Sequence, residues 1–288
     1  MTIEKEIVQL AKDEEAVIEL RRGIAPGSYR LIHGDAVQEL KRIKESGERA
    51  GLILTSPPYF DLKDYGGGGS YSSYEEYLDL IRGVMRLSYD ILLPGARAIF
   101  VVGDVTRSRR AHGRHYVIPL HADIIHAATE VGFDYLTPIM WHKITNASLE
   151  MGKGGPLGKP YQPGGVIKTE VEYILIFRRP GYRRVDEDVA RLSVISEGEY
   201  KSWFRQVWDD IPGAKVDGHP AAFPLELAHR LVMMFSYVGD LVIDPFVGSG
   251  TTAIAAIRSG RNAIGIDLNP SYIDLAEERL SRFLIKTR

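Results

Sequence analysis

Residues 241–252 read Leu241-Val242-Ile243-Asp244-Pro245-Phe246-Val247-Gly248-Ser249-Gly250-Thr251-Thr252. The three aliphatic residues predict a buried strand, and the glycines behind them let the backbone turn sharply and approach a ligand at its carboxyl end. A helix predicted from about 250 to 259 then presents unpaired N–H groups to whatever lies in that turn. A carboxylate group suits the turn better than a phosphate, because no lysine follows in the pattern of phosphate-cradling loops. A bare strand-to-helix turn accounts for one glycine, but not for the whole run from Asp244 to Thr252.

One unit further on, Ile264-Gly265-Ile266-Asp267 closes a second strand on an acid, and Asn269-Pro270 opens the next helix. An acid at a strand end is most often a helix cap. With Gly248 and Gly250 upstream, it is also where α/β sheets hold ribose hydroxyls. The alternation extends backwards through a helix at 225–237 behind Pro224. It recurs near the start: a strand Tyr29–Ile32 ending at Gly34-Asp35, a helix at 36–46, a strand Leu52–Leu54, a helix at 74–93 closed by Pro94-Gly95, and a strand Ala98–Val102. A helix at 119–131, capped by Gly132, and strands at 134–142 and 172–177 follow. This order predicts an α/β fold, a doubly wound and mostly parallel sheet. The spacing of Ile3, Ile7, Leu10, Val17 and Ile18 predicts a surface helix over 3–21, while 106–116 reads as a basic loop and 144–168 as a long loop rich in Gly, Pro and Lys.

The second informative stretch is Thr55-Ser56-Pro57-Pro58-Tyr59, at the end of a buried strand. Proline has no N–H but keeps its C=O, so a Pro-Pro step makes rigid acceptors, and Tyr59 adds a flat face. Together they suit a planar amine. An exocyclic amino group on a base is a poor nucleophile because its lone pair delocalises into the ring; acceptors from the Ser56 side chain and the Pro57 carbonyl bind both amino protons and favour a more tetrahedral nitrogen. In isolation the pentapeptide reads better as a proline-rich loop with a surface tyrosine.

Composition excludes other chemistries. The 288 residues are 44% hydrophobic and 26% charged, as in ordinary globular proteins, and contain no cysteine. Thiolate nucleophiles, thiolate zinc sites and iron–sulfur clusters are therefore ruled out. The 8 histidines show no metal spacing, and no stretch reads as a signal peptide or membrane span. Lysine and arginine total 36 against 38 acids, a net charge of -2, so any contact with nucleic acid must come from local clusters.

The order of Thr55–Tyr59, then His219-Pro220-Ala221-Ala222-Phe223-Pro224, then Asp244–Thr252 resembles the β-class amino methyltransferases of DNA, over roughly 29–180 and 206–284. The resemblance implies a Rossmann-like S-adenosylmethionine methyltransferase fold, with a mostly parallel seven-stranded sheet whose last strands form an antiparallel hairpin. It implies S-adenosylmethionine as cofactor and double-stranded DNA as partner. Ser56, Pro57, Pro58 and Tyr59 would be catalytic. Asp244, Phe246, Gly248, Ser249, Gly250 and Thr251 would line the cofactor pocket, Asp267 would hold the ribose, Asp35 would lie on the adenine side, and His219, Phe223 and Pro224 would close over the methionine moiety. Ser before Pro-Pro is associated in this family with cytosine N4, and Asp or Asn there with adenine N6; Ser56 favours cytosine and leaves adenine as the rival. Transfer would be direct and in line, on a base flipped out of the duplex and stacked on Tyr59.

Four segments are expected: an N-terminal helical extension at 1–28, a catalytic half at 29–180, a target-recognition insertion at 181–215 and a cofactor-binding half at 216–288. Phosphate contacts are expected from Arg107, Arg109, Arg110 and Arg114, from Lys153 and Lys159, and from Arg178, Arg179, Arg183 and Arg184, although each alone reads better as ordinary surface and only the set offsets the net charge on one face. Gly152–Lys159 mimics a nucleotide loop but fails, because Lys153 stands where glycine is needed and Pro160 where Ser or Thr is needed. A cytoplasmic enzyme with a cognate restriction endonuclease fits this picture, as against a non-catalytic nucleic-acid binder or an RNA methyltransferase. Oligomeric state and recognition sequence are left open.

Overall fold

The computed structural model describes residues 3–58, 60, 71, 73–143, 167, 169–214 and 223–286. The helix expected over 3–21 is two helices, α1 (Ile3–Ala11) and α2 (Glu14–Arg22), because Asp13 adopts extended backbone and its side chain accepts from Ala16 N, capping a new helix. β1 (Tyr29–His33), α3 (Ala36–Glu45) and β2 (Ala50–Thr55) follow as the sequence predicts. α4 (Tyr74–Ile91) runs straight into β3 (Leu92–Val102). Pro94 and Gly95 do not separate them: the register beside β2 jumps from Ala50↔Leu92 to Leu52↔Arg97, so the strand absorbs both residues in an irregularity, with Gly95 at φ 79°.

The expected basic loop instead folds as β4 (Val105–Arg107), α5 (Arg109–His112) and β5 (Tyr116–Ile118), a ribbon separate from the main sheet. After α6 (Leu120–Val131), the strand expected over 134–142 is interrupted ahead of Ile139 by Pro138, leaving β6 (Asp134–Tyr135) and β7 (Ile139–His142). β8 (Val171–Arg178), α7 (Glu187–Leu192), α8 (Glu197–Trp203), β9 (Val207–Trp208), α9 (Leu225–Phe235), β10 (Leu241–Asp244), α10 (Thr251–Arg258), β11 (Asn262–Asp267) and α11 (Pro270–Lys286) complete the described chain.

The strand order is β1-β11-β10-β2-β3-β8-β7-β9, with β6 also on β8. Seven of the nine strands have four residues or more, and the other two are two-residue additions. β1, β11, β10, β2 and β3 run parallel; β8 is antiparallel to β3 and to β7, which makes the hairpin-like edge. Ile53, Phe100, Ile243 and Ile264 pack under α3, α4 and α6, while Leu52, Leu54, Ile99 and Val242 pack under α9, α10 and α11. Burial on both faces is why these strands read as uninterrupted apolar runs. Strands from the two halves of the chain interleave, β10 lying between β2 and β11, so the expected catalytic and cofactor-binding halves share one sheet.

The N-terminal helices dock on α7 and α8 through Arg21–Glu199 and Glu6–Arg191 ion pairs of 2.6 and 2.8 Å. In the segment expected as a target-recognition insertion, Trp203, Trp208 and Ile211 are core residues: Trp141 Nε1 donates to Ile211 O, and Trp208 Nε1 to Trp203 O, both at 2.8 Å. Among the described residues no helix is long and apolar enough to cross a membrane.

Candidate active site

Parallel strands end together, and the register brings His33 beside Asp267, Asp244 beside Gly265, and Thr55 beside Phe100 at one edge of the sheet. β2 and β10 are neighbours there, and the Thr55 hydroxyl donates to Asp244 Oδ1 at 2.5 Å. The two motifs, 189 residues apart in sequence, are thus joined by one buried hydrogen bond. Asp244 is 2% exposed and also accepts from Phe246 N at 3.0 Å. Burial pushes its carboxyl up to about 6, against the opposing pull of Thr55, Thr252 and the Phe246 amide. Ser56 and Pro58 are half-buried, Pro57 is buried, and Tyr59 lies outside the described residues.

Across the strand ends, Gly248 (φ 48°) and Gly250 (φ 80°) bend the turn expected from the sequence. Gly248 N donates to Asp267 Oδ2 and Asn269 N to Oδ1, both at 2.9 Å, so one carboxylate pins the turn after β10 to the turn after β11. Burial raises the Asp267 carboxyl as well. Gly250 also permits close helix packing: a Cβ there would sit 3.0 Å from the Ala276 Cβ on α11. Ser249 and Thr251 are buried, and Arg279, which the sequence did not single out, donates to the Ser249 carbonyl and the Thr251 hydroxyl from α11. Asp35 caps α3 by accepting from Gln38 N at 2.9 Å, and Gly34 N bonds Asp267 O, so the Gly34-Asp35 strand end adjoins Asp267. Phe223 and Pro224 are buried at the start of α9; His219 lies outside the described residues. A strand-end carboxylate, a second buried acid and a glycine turn at a helix amino end form a donor set that fits a nucleoside carrying both a carboxylate and a cation.

On the other flank of Thr55, beyond the end of β3, Asp104 Oδ1 bonds His121 Nδ1 at 2.7 Å, and the His121 ring stacks on Tyr173 with centroids 4.1 Å apart. The Tyr74 hydroxyl donates to Asp123 at 2.6 Å; burial and that carboxylate hold its phenol well above the usual range. These residues come from three elements and the loop after β3, and the sequence signal for them is slight: Gly103-Asp104 repeats the strand-end pattern of Gly34-Asp35.

The expected phosphate contacts divide. Arg109, Arg110 and Arg114 are exposed at the site edge. Arg107 is not a surface cation: it is 7% exposed, with its guanidinium 5.1 Å from the Phe60 ring centroid. Arg178, Arg179, Arg183 and Arg184 fall at the opposite edge, because β8 runs antiparallel and carries the chain away from the site. Arg178 pairs with Arg97 where Tyr173 pairs with Val102, a displacement of roughly 17 Å at about 3.3 Å per residue. There Arg178 bonds Asp134, and Arg183 bonds both oxygens of the buried Asp240 at 2.8 and 2.5 Å. Arg183→Met is accordingly expected to lower the unfolding free energy in urea by roughly 3 kcal/mol, by stranding a buried carboxylate, while leaving duplex affinity unchanged. Lys153 and Lys159 lie outside the described residues.

Comparison with known proteins finds relatives over most of the chain. The type II methyltransferase M.MjaI of Methanocaldococcus jannaschii is 30% identical over 285 residues, covering 88% of this chain and 91% of the relative. M.MthZI of Methanothermobacter thermautotrophicus, also a type II methyltransferase, is 33% identical and covers 81% and 72%. Among solved structures, the Thermus thermophilus protein TTHA0409 in complex with S-adenosyl-L-methionine superposes with a TM-score of 0.73 at 46% identity, covering 88% of this chain and 94% of that one. The family model for N6/N4 methyltransferases, described as DNA methylase, matches residues 50–278, and the chain belongs to that family.

Proposed function

We propose that this protein is a site-specific DNA methyltransferase acting on the exocyclic N4 of cytosine in double-stranded DNA, within a restriction–modification system. The observation that supports the proposal is the 2.5 Å bond from Thr55, at the head of Ser56-Pro57-Pro58, to Asp244, at the head of the glycine turn. S-adenosylmethionine, when bound, supplies an electrophilic methyl group. The turn residues Asp244, Phe246, Gly248, Ser249, Gly250 and Thr251, with Asp267, Asp35, His219, Phe223 and Pro224, hold that cofactor.

Ser56 and the Pro57 carbonyl accept the two amino protons of the target base, Pro58 stiffens the loop, and Tyr59 stacks on the extruded ring. Acceptors fixed by prolines need no reorganisation during transfer, so the rate comes from orientation and prearranged polarity. The serine in place of Asp or Asn before Pro-Pro supports cytosine. Nucleosides from DNA methylated in vitro by the purified chain are expected to contain N4-methylcytosine by mass spectrometry; N6-methyladenine alone overturns the choice of base, and an absence of any methylated nucleoside overturns the activity.

A further inference from the structure

The ribbon that leaves the end of β3 has a composition unlike its surroundings. β4 and β5 pair antiparallel, Val105↔Ile118 and Arg107↔Tyr116, and among the described residues join no other strand. From Val105 to Ala122 the sequence holds four arginines and no acid; the next acid is Asp123. Arg109, Arg110 and Arg114 are exposed, and among the described residues none of them forms an ion pair, whereas Arg178 and Arg183 at the far edge each hold an acid. Exposed Tyr116 and Val117 on β5 follow Arg114, with the Arg114 guanidinium 5.2 Å from the Tyr116 centroid. Clustered like charges without partners repel one another, and a line of phosphates relieves that repulsion with release of counterions. The fourth arginine points inward: Arg107 lies over Phe60, and Phe60 directly follows Tyr59.

We propose that the Val105–Ile118 ribbon grips the phosphate backbone of duplex DNA beside the site, and that Arg107 is a positioning residue clamping this grip to the catalytic loop. The proposal rests on the DNA-methyltransferase reading and adds to it where the duplex is held and how the held duplex is kept in register with Ser56–Tyr59. A cation on an aromatic face is a contact that survives partial desolvation, which suits a clamp between a small ribbon and a loop.

Anisotropy titrations of the full chain with a labelled duplex of arbitrary sequence, over a range of salt, test the grip. The R109Q/R110Q/R114Q variant is expected to bind about tenfold more weakly at low salt. Its plot of log affinity against log salt should be shallower by about 2.7, three contacts at about 0.9 each. An unchanged slope overturns the grip; a parent chain that neither binds DNA nor transfers methyl overturns the underlying function instead. For the clamp, Arg107→Gln is expected to lower kcat about tenfold or more with duplex affinity unchanged, and Arg107→Lys to recover much of it. Should Arg107→Gln fail to fold, Phe60→Leu removes the other half of the contact and carries the same expectation. Unchanged kcat, or a fall in duplex affinity that matches the fall in kcat, overturns the clamp.

Discussion

At pH 8, Asp244→Asn is expected to be more stable than the parent chain by up to about 3 kcal/mol, and to methylate DNA about a hundredfold more slowly. The carboxyl titrates near 3.8 when the chain is unfolded and is pushed up to about 6 in the folded protein by burial. Between those values the native state keeps a proton that the unfolded state has released. Its contribution to stability is therefore intact below 3.8, declines as pH rises towards 6, and stays lost above. About two units at roughly 1.4 kcal/mol each set the size of the loss. Asparagine keeps the shape and can still accept from Thr55 and the Phe246 amide, without a charge to desolvate. A buried acid retained against stability points to a task, and here two raised acids, Asp244 and Asp267, make the glycine turn electronegative where a cationic ligand must settle. Cofactor affinity of the parent chain, followed by calorimetry, should accordingly fall as pH drops through about 6, and that dependence should weaken in the variant, where only Asp267 remains to carry it. Lower stability of the variant at pH 8, or a flat affinity profile in the parent, contradicts this account.

What the sequence disclosed, and what it hid, follows from how far each signal reaches along the chain. Strands buried on both faces announce themselves as apolar runs, so β2, β10 and β11 are legible within a residue or two. Turn chemistry at Gly248, Gly250 and Asp267 is equally local, and the structure assembles those three around a single carboxylate. Features set by pairing are not local. Pro94-Gly95 reads as a stop, yet β2 offers a register shift that lets β3 pass through. The run from Arg178 to Arg184 reads as a DNA surface, yet the antiparallel direction of β8 takes it to the wrong edge, and direction is a property of the sheet. Trp203 and Trp208 are core residues for the same reason, β9 having joined β7 across a long interval of chain. The ribbon at 105–118 was hidden because Arg107 looks like its neighbours until the fold turns it onto Phe60. Arg279 gave no periodic or motif signal and the Asp104–His121 pair only the strand-end Gly103-Asp104, since their partners lie on other elements.

Ser56→Ala is expected to lower kcat by a factor of about 10² to 10³, the size of effect seen when one prearranged polar group is taken from a developing charge, while cofactor affinity stays unchanged. The two motifs touch through Thr55, not Ser56, and Thr55 has committed its hydroxyl to Asp244, so deleting the Ser56 oxygen leaves the glycine turn and its carboxylates intact. If Tyr59 is the proposed stacking face, Tyr59→Ala is expected to cost about 1–3 kcal/mol, a loss of up to roughly a hundredfold in kcat/KM for DNA, and Tyr59→Phe to keep most of the activity, since stacking needs the ring face and not the hydroxyl. Presteady-state transfer on duplex DNA, paired with calorimetry of the cofactor, separates the two effects. If Ser56→Ala weakens the cofactor as much as it slows transfer, the serine lies in the pocket of the glycine turn, and the amine must be gripped elsewhere along the strand ends, with Asp104 and His121, beyond the end of β3, the groups to test next.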